Sequence, residues 1–313
     1  MFQPTHGNDT MASRKTEPPP EADAVRTVVR SFWHGAPLNA YLLLCLRSFV
    51  RAACTVEIFT YGRALRFPDW IVQREAADIL PAKEVLIYRN GPGHGSPALH
   101  SNLFRFTMLD QLGGWWIDTD VALARGPLPT TPYFFAHEEG HFGNSVLKFP
   151  RGHKLLAEGA QKCRQLGANA RWGAAGPMLF TALVRRHGLT GLAQPAVNAS
   201  PFVWSDVDAL FDPRRGAEMM QRSSTAIFMH LCWETWRRAG VPDDLGPPEG
   251  SFLDLQFRAS DLDIRFPARI KHEHLVVWLA NSRGNDMIRH HQLHWWWRLG
   301  GRLRRALRGA PAS

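Results

Sequence analysis

The chain is poor in cysteine, in long apolar runs and in acidic residues. Its four cysteines, Cys45, Cys54, Cys163 and Cys232, are widely spaced in 313 residues, which argues against a disulfide framework or a thiolate zinc site. The longest apolar run, AYLLLCL at 40–46, is far shorter than the roughly 20 residues that cross a bilayer. The N-terminal stretch also lacks the apolar segment of a secretory signal. We therefore expect a cytoplasmic protein that is neither secreted nor membrane-spanning.

The composition is that of a folded protein with an excess of basic charge. Hydrophobic residues make up 45% of the chain and charged residues 21%, as in ordinary soluble globular proteins. The net charge is +9 and the isoelectric point is near 9.9. Such a surface attracts anions, which include nucleotides, acidic membranes and nucleic acid. Charge alone does not choose among these partners.

The two ends differ in composition from the middle of the chain. Residues 1–24 are polar and end near a PPP run, which predicts a flexible extension. From Met287 onward the chain has no acidic residue, and arginines accumulate beside the tryptophans at 295–297. A basic segment rich in tryptophan is typical of contact with an anionic membrane surface, and a solvated tail is the alternative. The sequence thus predicts one domain at 25–283, followed by a basic tail at 284–313.

Apolar patterns in the first hundred residues alternate between strand and helix periods. We predict strands at 27–33, 55–62 and 84–89, and helices at 37–53 and 70–80, from the period of the apolar residues. Alternation of this kind indicates an α/β protein with a mostly parallel, doubly wound sheet flanked by helices.

The stretch LGGWWIDTDV at 112–121 brings two carboxylates to the end of an apolar run. Side chains two residues apart on a strand point to the same side, so Asp118 and Asp120 can face one ligand. Ligands of such sheets bind beyond the carboxyl ends of the strands. Carboxylate oxygens suit Mg²⁺ or Mn²⁺. A solvated turn without a ligand is the alternative interpretation.

The segment just before this strand predicts a helix that carries further polar groups. In SNLFRFTMLDQLGG, Ser101 is a candidate N-cap and Gly113 a candidate stop. Asn102 and Arg105, three residues apart, then share one face of the first turn. An amide and a guanidinium are therefore expected near the carboxylate pair.

Together, SNLFRFTMLDQLGGWWIDTDV resembles the signature S-D-x-x-R, apolar helix, G-G-x-Y-x-D-x-D of glycosyltransferases with the DXD sugar-binding region. That family includes capsular-polysaccharide transferases, fungal mannosyltransferases, glycolipid galactosyltransferases and catalytic domains of clostridial toxins. Asn102 stands where the family usually has Asp, and Trp116 where it commonly has Tyr. The resemblance implies a GT-A fold, a nucleotide-sugar donor (a UDP-sugar first), Mn²⁺ or Mg²⁺, and retention of anomeric configuration.

Three further segments are similar to the same family. SFWHG at 31–35 implies that Trp33 stacks on the base, and WGAAGPMLF at 172–180 is similar to a stretch beyond the metal site. HLCWETWRR at 230–238 is similar to H-L-W-N-x-x-W and implies that His230 completes the metal shell or contacts the diphosphate. Cys232 and Trp233 stand there in place of the usual Trp and Asn.

The resemblance assigns roles to these residues. The implied metal ligands are Asp118, Asp120 and His230, and the implied catalytic residues are Asp118, Asp120 and Arg105. Donor binding is implied for Trp33, Asn102, Arg105, Trp116 and Asp118. We place Glu138, Glu139 and Asn144 on the acceptor side, where a glycan or lipid-linked acceptor would bind; no specific nucleic acid is expected.

Two other functions compete with this interpretation. HEEGH at 137–141 satisfies H-E-x-x-H, the zinc-peptidase pattern that needs both histidines on one helix. Pro132, Gly140 and Gly143 make that helix improbable, so the peptidase is the least favoured function. The departures at Asn102 and Cys232 suggest the other alternative, a non-catalytic protein that binds nucleotide sugars or carbohydrate on the same scaffold.

Overall fold

The computed structural model describes residues 26–275 and residue 277. Within them the strands are β1 (Val28–Phe32), β2 (Thr55–Thr60), β3 (Ile71–Glu75), β4 (Gly114–Ile117), β5 (Val121–Leu123), β6 (His137–Glu138), β7 (His141–Phe142), β8 (Val146–Phe149) and β9 (Phe228–His230). The helices are α1 (Ala40–Arg51), α2 (Ala98–Leu112), α3 (Lys154–Leu166), α4 (Pro177–Arg186), α5 (Ala196–Ala199), α6 (Val207–Phe211), α7 (Gly216–Ser223), α8 (Trp233–Arg238) and α9 (Phe252–Ala259).

A five-stranded sheet with the order β3-β2-β1-β4-β8 forms the centre of the molecule. The first four of these strands are parallel to their neighbours, whereas β8 runs antiparallel to β4. Two small antiparallel pairs, β5 with β9 and β6 with β7, lie outside this sheet. The prediction of an α/β protein with a mostly parallel sheet flanked by helices is confirmed.

The two tryptophans of β4 belong to different parts of the core. Trp116 packs in a buried cluster with Phe104 of α2, and Trp115 in another with Phe49 of α1. Neighbouring side chains of a strand alternate between its two faces, so β4 anchors both layers. Burying one Leu or Phe side chain contributes about 1.5–3 kcal/mol, and these clusters therefore fix the strand end from which the polar residues emerge.

Two sequence predictions were wrong. Residues 70–80, predicted as a helix, contain strand β3, whose Ile71 is paired with Val56 of β2; sheet pairing overrides the local helical pattern. Residues 84–89, predicted as a strand, join no sheet within the described chain. There the main-chain N–H of Tyr88 donates to the carbonyl of Ser96, and that of Arg89 to the carbonyl of Ala168. The main-chain groups of this segment are thus satisfied by loop carbonyls instead of by a neighbouring strand.

The helices also begin at other residues than predicted. Helix α1 begins after Asn39, whose side chain accepts a hydrogen bond of 3.0 Å from the N–H of Leu42, so Asn39 acts as the N-cap. Helix α2 begins at Ala98, one turn before the predicted cap at Ser101. It ends before Gly113, as predicted, and the φ of Gly113 is +64°.

Among the described residues, no helix combines the length and the apolar character needed to cross a membrane. The predicted extension at 1–24 and the predicted basic tail at 284–313 lie outside the described residues.

Candidate active site

Two carboxylates and one imidazole converge beyond the end of β4. Ligand atoms of Asp118, Asp120 and His230 all lie within 4.8 Å of one another. The strand ends at Ile117, so the two aspartates lie on the turn between β4 and β5 rather than on the strand itself. That turn is closed by a 3.0 Å hydrogen bond from the N–H of Val121 to the carbonyl of Asp118. His230 reaches the same point from the end of β9, which pairs with β5.

Asp118 is held in place by two donors. The guanidinium of Arg105 and the indole N–H of Trp116 each donate to Oδ1 of Asp118 at 2.8 Å. The Arg105 guanidinium also lies 4.9 Å from the centre of the Trp116 ring and donates to the carbonyl of Asn144. Both side-chain bonds of Asp118 thus end on Oδ1, which leaves Oδ2 to face a ligand.

Trp116 lies behind the site rather than in it. Its side chain is fully buried, so it offers no surface to a donor, although donor binding was expected of it. Its contribution is the hydrogen bond that orients Asp118. The large indole ring is needed there because it both fills the core and carries a donor at its edge.

Asp120 and His230 form the second half of the cluster. Nε2 of His230 lies 3.3 Å from Oδ2 of Asp120, and the main-chain N–H of Trp233 donates to the same oxygen at 2.9 Å. Burial would raise the pKa of Asp120, but His230 and the Trp233 N–H stabilise the carboxylate and hold the pKa below its usual value. Burial likewise disfavours a charged His230, yet Cys232 and Asp120 outweigh it and raise the pKa of the imidazole.

The pKa values of Asp118 and Arg105 shift in the opposite directions to those of Asp120 and His230. Burial raises the pKa of Asp118, against the attraction of Arg105, and the charge of Asp120 adds to that rise. Burial also lowers the pKa of Arg105, and Asp118 opposes that shift; the guanidinium remains the charged partner. A divalent cation would relieve the repulsion between the two aspartates, since both carboxylates would then face positive charge.

Asn102 and Asn144 form an amide pair next to Arg105. The Nδ2 of Asn144 donates to Oδ1 of Asn102 at 2.9 Å, and Nδ2 of Asn102 donates to the carbonyl of Ala98 at 3.0 Å. Gly176 makes room for this pair, because a Cβ there would lie 3.2 Å from Oδ1 of Asn102. Asn144 is therefore part of the same network as Arg105, although its expected place is the acceptor side.

Aromatic side chains line the other end of the site. The ring centres of Trp33 and Trp233 lie 5.9 Å apart, and the indole N–H of Trp33 donates to the carbonyl of Ala36 at 2.7 Å. The indole N–H of Trp233 donates to Oδ2 of Asp243 at 3.2 Å, and Nδ2 of Asn39 donates to the same oxygen at 2.7 Å. Asn39, the N-cap of α1, therefore also holds Asp243 in position for its hydrogen bond with Trp233.

The two aspartates, His230 and most of the side chains around them border one open cavity of about 660 Å³. Its wall includes Trp33, Asn102, Arg105, Asp118, Asp120, Glu138, Asn144 and His230. A volume in the range of 300–1,000 Å³, with apolar walls and a few convergent polar groups, is typical of a site for a small molecule.

The HEEGH segment is a β-hairpin. Strands β6 and β7 pair His137 with Phe142 and Glu138 with His141, and the turn passes through Glu139 and Gly140, whose φ angles are +41° and +87°. The helix that would place both histidines on one metal is therefore not formed, so the peptidase interpretation loses its geometry. Glu138 borders the main cavity, whereas Glu139 is exposed and borders only a smaller cavity of about 40 Å³.

Several residues of the site had no predicted role. Trp233 was noted only as a departure from a family segment, and Asn39 and Asp243 were not singled out. Asn39 stands just before an apolar helical pattern, which is a signal for an N-cap. For Asp243 the sequence offers no comparable signal, because its partners are distant in the chain.

The donor set suits a hard divalent cation. Two carboxylates and one imidazole are a common ligand set for Mn²⁺ and are compatible with Mg²⁺ when substrate phosphates supply further oxygens. A cation that took the imidazole nitrogen would displace the proton that Asp120 favours there. Asp118, Asp120 and His230 are therefore the residues that could hold it.

Comparison with known proteins gives a structural likeness but no match in sequence. No family model matches the sequence, and no curated protein matches it. Among solved structures, the PaToxG glycosyltransferase is similar with a TM-score of 0.41 and 14% sequence identity, over 51% of this chain and 68% of that chain.

Proposed function

We propose that the protein is a glycosyltransferase of the GT-A type that uses a nucleotide-sugar donor and a divalent cation. The observation that carries this proposal is the convergence of Asp118, Asp120 and His230 within 4.8 Å at the wall of a cavity of about 660 Å³. The ion pair between Arg105 and Asp118 supports it, because the family resemblance relates these two residues by the same spacing.

The cation would act as a Lewis acid that stabilises the charge developing on the departing diphosphate. The protein side chains then have distinct tasks. Asp118, Asp120 and His230 would hold the cation, and Arg105 orients Asp118 for this task. Arg105 and Asn102 face the sugar, and Trp33 stacks on the base of the nucleotide.

The resemblance further implies a UDP-sugar, Mn²⁺ or Mg²⁺, and retention of anomeric configuration. We infer a hydroxyl-bearing acceptor in glycan or glycolipid assembly. A cytoplasmic location, on the inner face of an anionic membrane, belongs to the same proposal and rests on the basic sequence at 284–313.

The direct test is hydrolysis of a panel of nucleotide sugars with Mn²⁺ or Mg²⁺. We expect at least one donor to release its sugar only when a divalent cation is present, and Asp120→Asn to abolish that release. Release that continues unchanged after chelation, or in Asp120→Asn, would contradict the metal-dependent mechanism. Asp261→Asn is the matched control, because Asp261 pairs with Arg47 at the surface and borders no part of the cavity wall.

A non-catalytic protein that binds nucleotide sugars is the second candidate. It is favoured by Asn102, which is an uncharged amide already bonded to Ala98 and Asn144 at the position where the family usually has Asp. Calorimetry distinguishes the two functions: binding of nucleoside diphosphate without release of sugar from any donor would favour this candidate.

A further inference from the structure

Five carboxylates border the main cavity, and four of them have a partner. Asp118 is bonded to Arg105, Asp120 to His230, Glu234 to Arg237, and Asp243 to Asn39. The fifth, Glu138, has no hydrogen bond or ion pair from its side chain within the described part of the chain. A half-buried carboxylate without a partner is costly unless water or a ligand satisfies it, so Glu138 differs from the other four.

Hydrogen bonds from three main-chain N–H groups hold the hairpin that carries Glu138 against the rest of the protein. The N–H of His137 donates to the carbonyl of Gln194 at 3.0 Å, and the N–H of Gly143 donates to the carbonyl of Ala136 at 3.0 Å. The N–H of Phe142 donates to Oγ1 of Thr181 at 2.8 Å in the protein interior. The hairpin is thus a fixed support for the carboxylate that it carries.

A glycine makes the space that the carboxylate occupies. A Cβ on Gly143 would lie 2.5 Å from Oε2 of Glu138, so any larger residue would push the carboxylate away. The next residue, Asn144, accepts a hydrogen bond from Arg105 and donates one to Asn102. The carboxylate therefore lies beside the network that we propose to face the donor sugar.

Glu138 also borders a second, smaller cavity of about 40 Å³ whose wall includes His230. Glu138 and His230 are therefore common to the walls of both cavities. A carboxylate in such a place can receive a proton from a hydroxyl bound next to the sugar, which is the task of a general base.

We propose that Glu138 is the base for the acceptor hydroxyl and that Gly143 is its positioning residue. This inference rests on the proposed function. In the step, the acceptor oxygen bonds to the anomeric carbon and the bond from that carbon to the diphosphate oxygen breaks. The electron pair leaves with the nucleoside diphosphate, and the hydroxyl proton passes to the Glu138 carboxylate and then to solvent. In hydrolysis, water takes the acceptor's place.

The test uses hydrolysis of a nucleotide sugar with Mn²⁺, with water as the acceptor. A general base contributes about 10²–10⁴-fold to a rate, so Glu138→Gln should lower kcat by about 100-fold or more. The Kd of the nucleotide sugar should stay within about twofold, because the base acts in the step and not in donor binding. Glu218→Gln is the control, since Glu218 pairs with Arg215 on the surface of α7.

A second variant keeps the carboxylate and moves it. Gly143→Ala should lower kcat in the same direction as Glu138→Gln, because its Cβ displaces Oε2. Gly191→Ala is its control, as a Cβ there meets nothing within 4 Å. The double variant should be no slower than Glu138→Gln alone, because both changes remove one function.

The outcomes separate this inference from the proposed function. If the wild-type protein hydrolyses no nucleotide sugar, the proposed function fails. If it hydrolyses one and Glu138→Gln matches its kcat, the inference about Glu138 alone is overturned. A loss confined to Glu139→Gln, or a loss of rate that tracks weaker donor binding, would overturn it as well.

Discussion

The main-chain N–H of Trp233 donates a 2.9 Å hydrogen bond to Oδ2 of Asp120, although the two residues are 113 positions apart in the chain. The same tryptophan contacts the ring of Trp33, which we propose to stack on the base. Cys232, whose φ is +51°, turns the chain from β9 into α8 so that this N–H points at the carboxylate. The first residue of α8 therefore links the end of the cavity that holds Asp118, Asp120 and His230 to its aromatic end.

Loss of a ligand side chain of the cluster should weaken cation binding. We expect Asp118→Asn and His230→Ala to lower the affinity for Mn²⁺ by more than about 10-fold, the lower end of what outer-shell changes cost. Isothermal titration with MnCl₂ in the presence of a nucleoside diphosphate measures this. Affinities equal to that of Asp261→Asn would show that the cluster does not bind the cation.

Removal of Arg105 should destabilise the fold as well as the site. Its side chain is 5% exposed and pairs with Asp118, whose side chain is 26% exposed, so the loss should approach, but not exceed, the roughly 3–5 kcal/mol of a fully buried pair. Denaturant unfolding of Arg105→Ala measures the change in the free energy of unfolding. The control is Arg47→Ala, which breaks a surface pair with Asp261 and should cost about 0–1 kcal/mol. Equal losses in the two variants would contradict a structural role for Arg105.

Trp33→Ala should weaken nucleotide binding without changing the cation site. Stacking of a base on an aromatic side chain contributes about 1–3 kcal/mol, and the Kd of the nucleoside diphosphate should rise accordingly. Fluorescence or calorimetric titration in the presence of Mn²⁺ gives the Kd. Trp70→Ala provides the comparison, because Trp70 packs beside Arg47, outside the cavity wall. An unchanged Kd in Trp33→Ala would remove Trp33 from the donor site.

The free energy of unfolding should fall as the pH is lowered through the range in which His100 takes up a proton. Burial lowers the pKa of this imidazole to about 4, and its Nε2 lies 2.8 Å from the hydroxyl of Tyr61. The unfolded chain takes up the proton near pH 6.5 and the folded chain only near pH 4, so the unfolded state binds more protons between these values. The free energy of unfolding should therefore decrease from pH 6.5 toward pH 4, by about 2 kcal/mol at pH 5.

His100→Gln isolates this contribution, because glutamine does not titrate. Urea unfolding at a series of pH values should show a shallower decline for His100→Gln than for the wild-type protein. Parallel curves would mean that His100 is not responsible for the acid sensitivity.

Local patterns predicted the parts of the site that lie close together in the chain. Helix α2 and strand β4 follow each other directly. Once Gly113 ends the helix, this short connection brings Arg105 next to Asp118. The same locality explains why Asn102 was placed near Arg105. The predicted start of the helix and the predicted end of the strand were less accurate, because α2 begins at Ala98 and β4 ends at Ile117.

Longer-range pairing decided what the local pattern could not. The segment at 70–80 has helix-forming residues, yet Ile71 pairs with Val56, since an open sheet edge offers hydrogen bonds along a whole strand. The H-E-x-x-H pattern is likewise overruled by the pairing of Glu138 with His141. Turn residues with positive φ at Glu139 and Gly140 favour that hairpin over a helix.

The sequence by itself determined the fold class and the carboxylate pair with its arginine, because apolar periodicity and short spacings act within a few turns of chain. Family resemblance had implied His230, and Glu138 was expected on the acceptor side, but only the tertiary structure decided how these residues and Trp233 lie around that pair. Each comes from an element whose position depends on packing against distant strands, and no local pattern encodes such a distance. Glu138 in particular becomes distinctive only beside four carboxylates that already have partners.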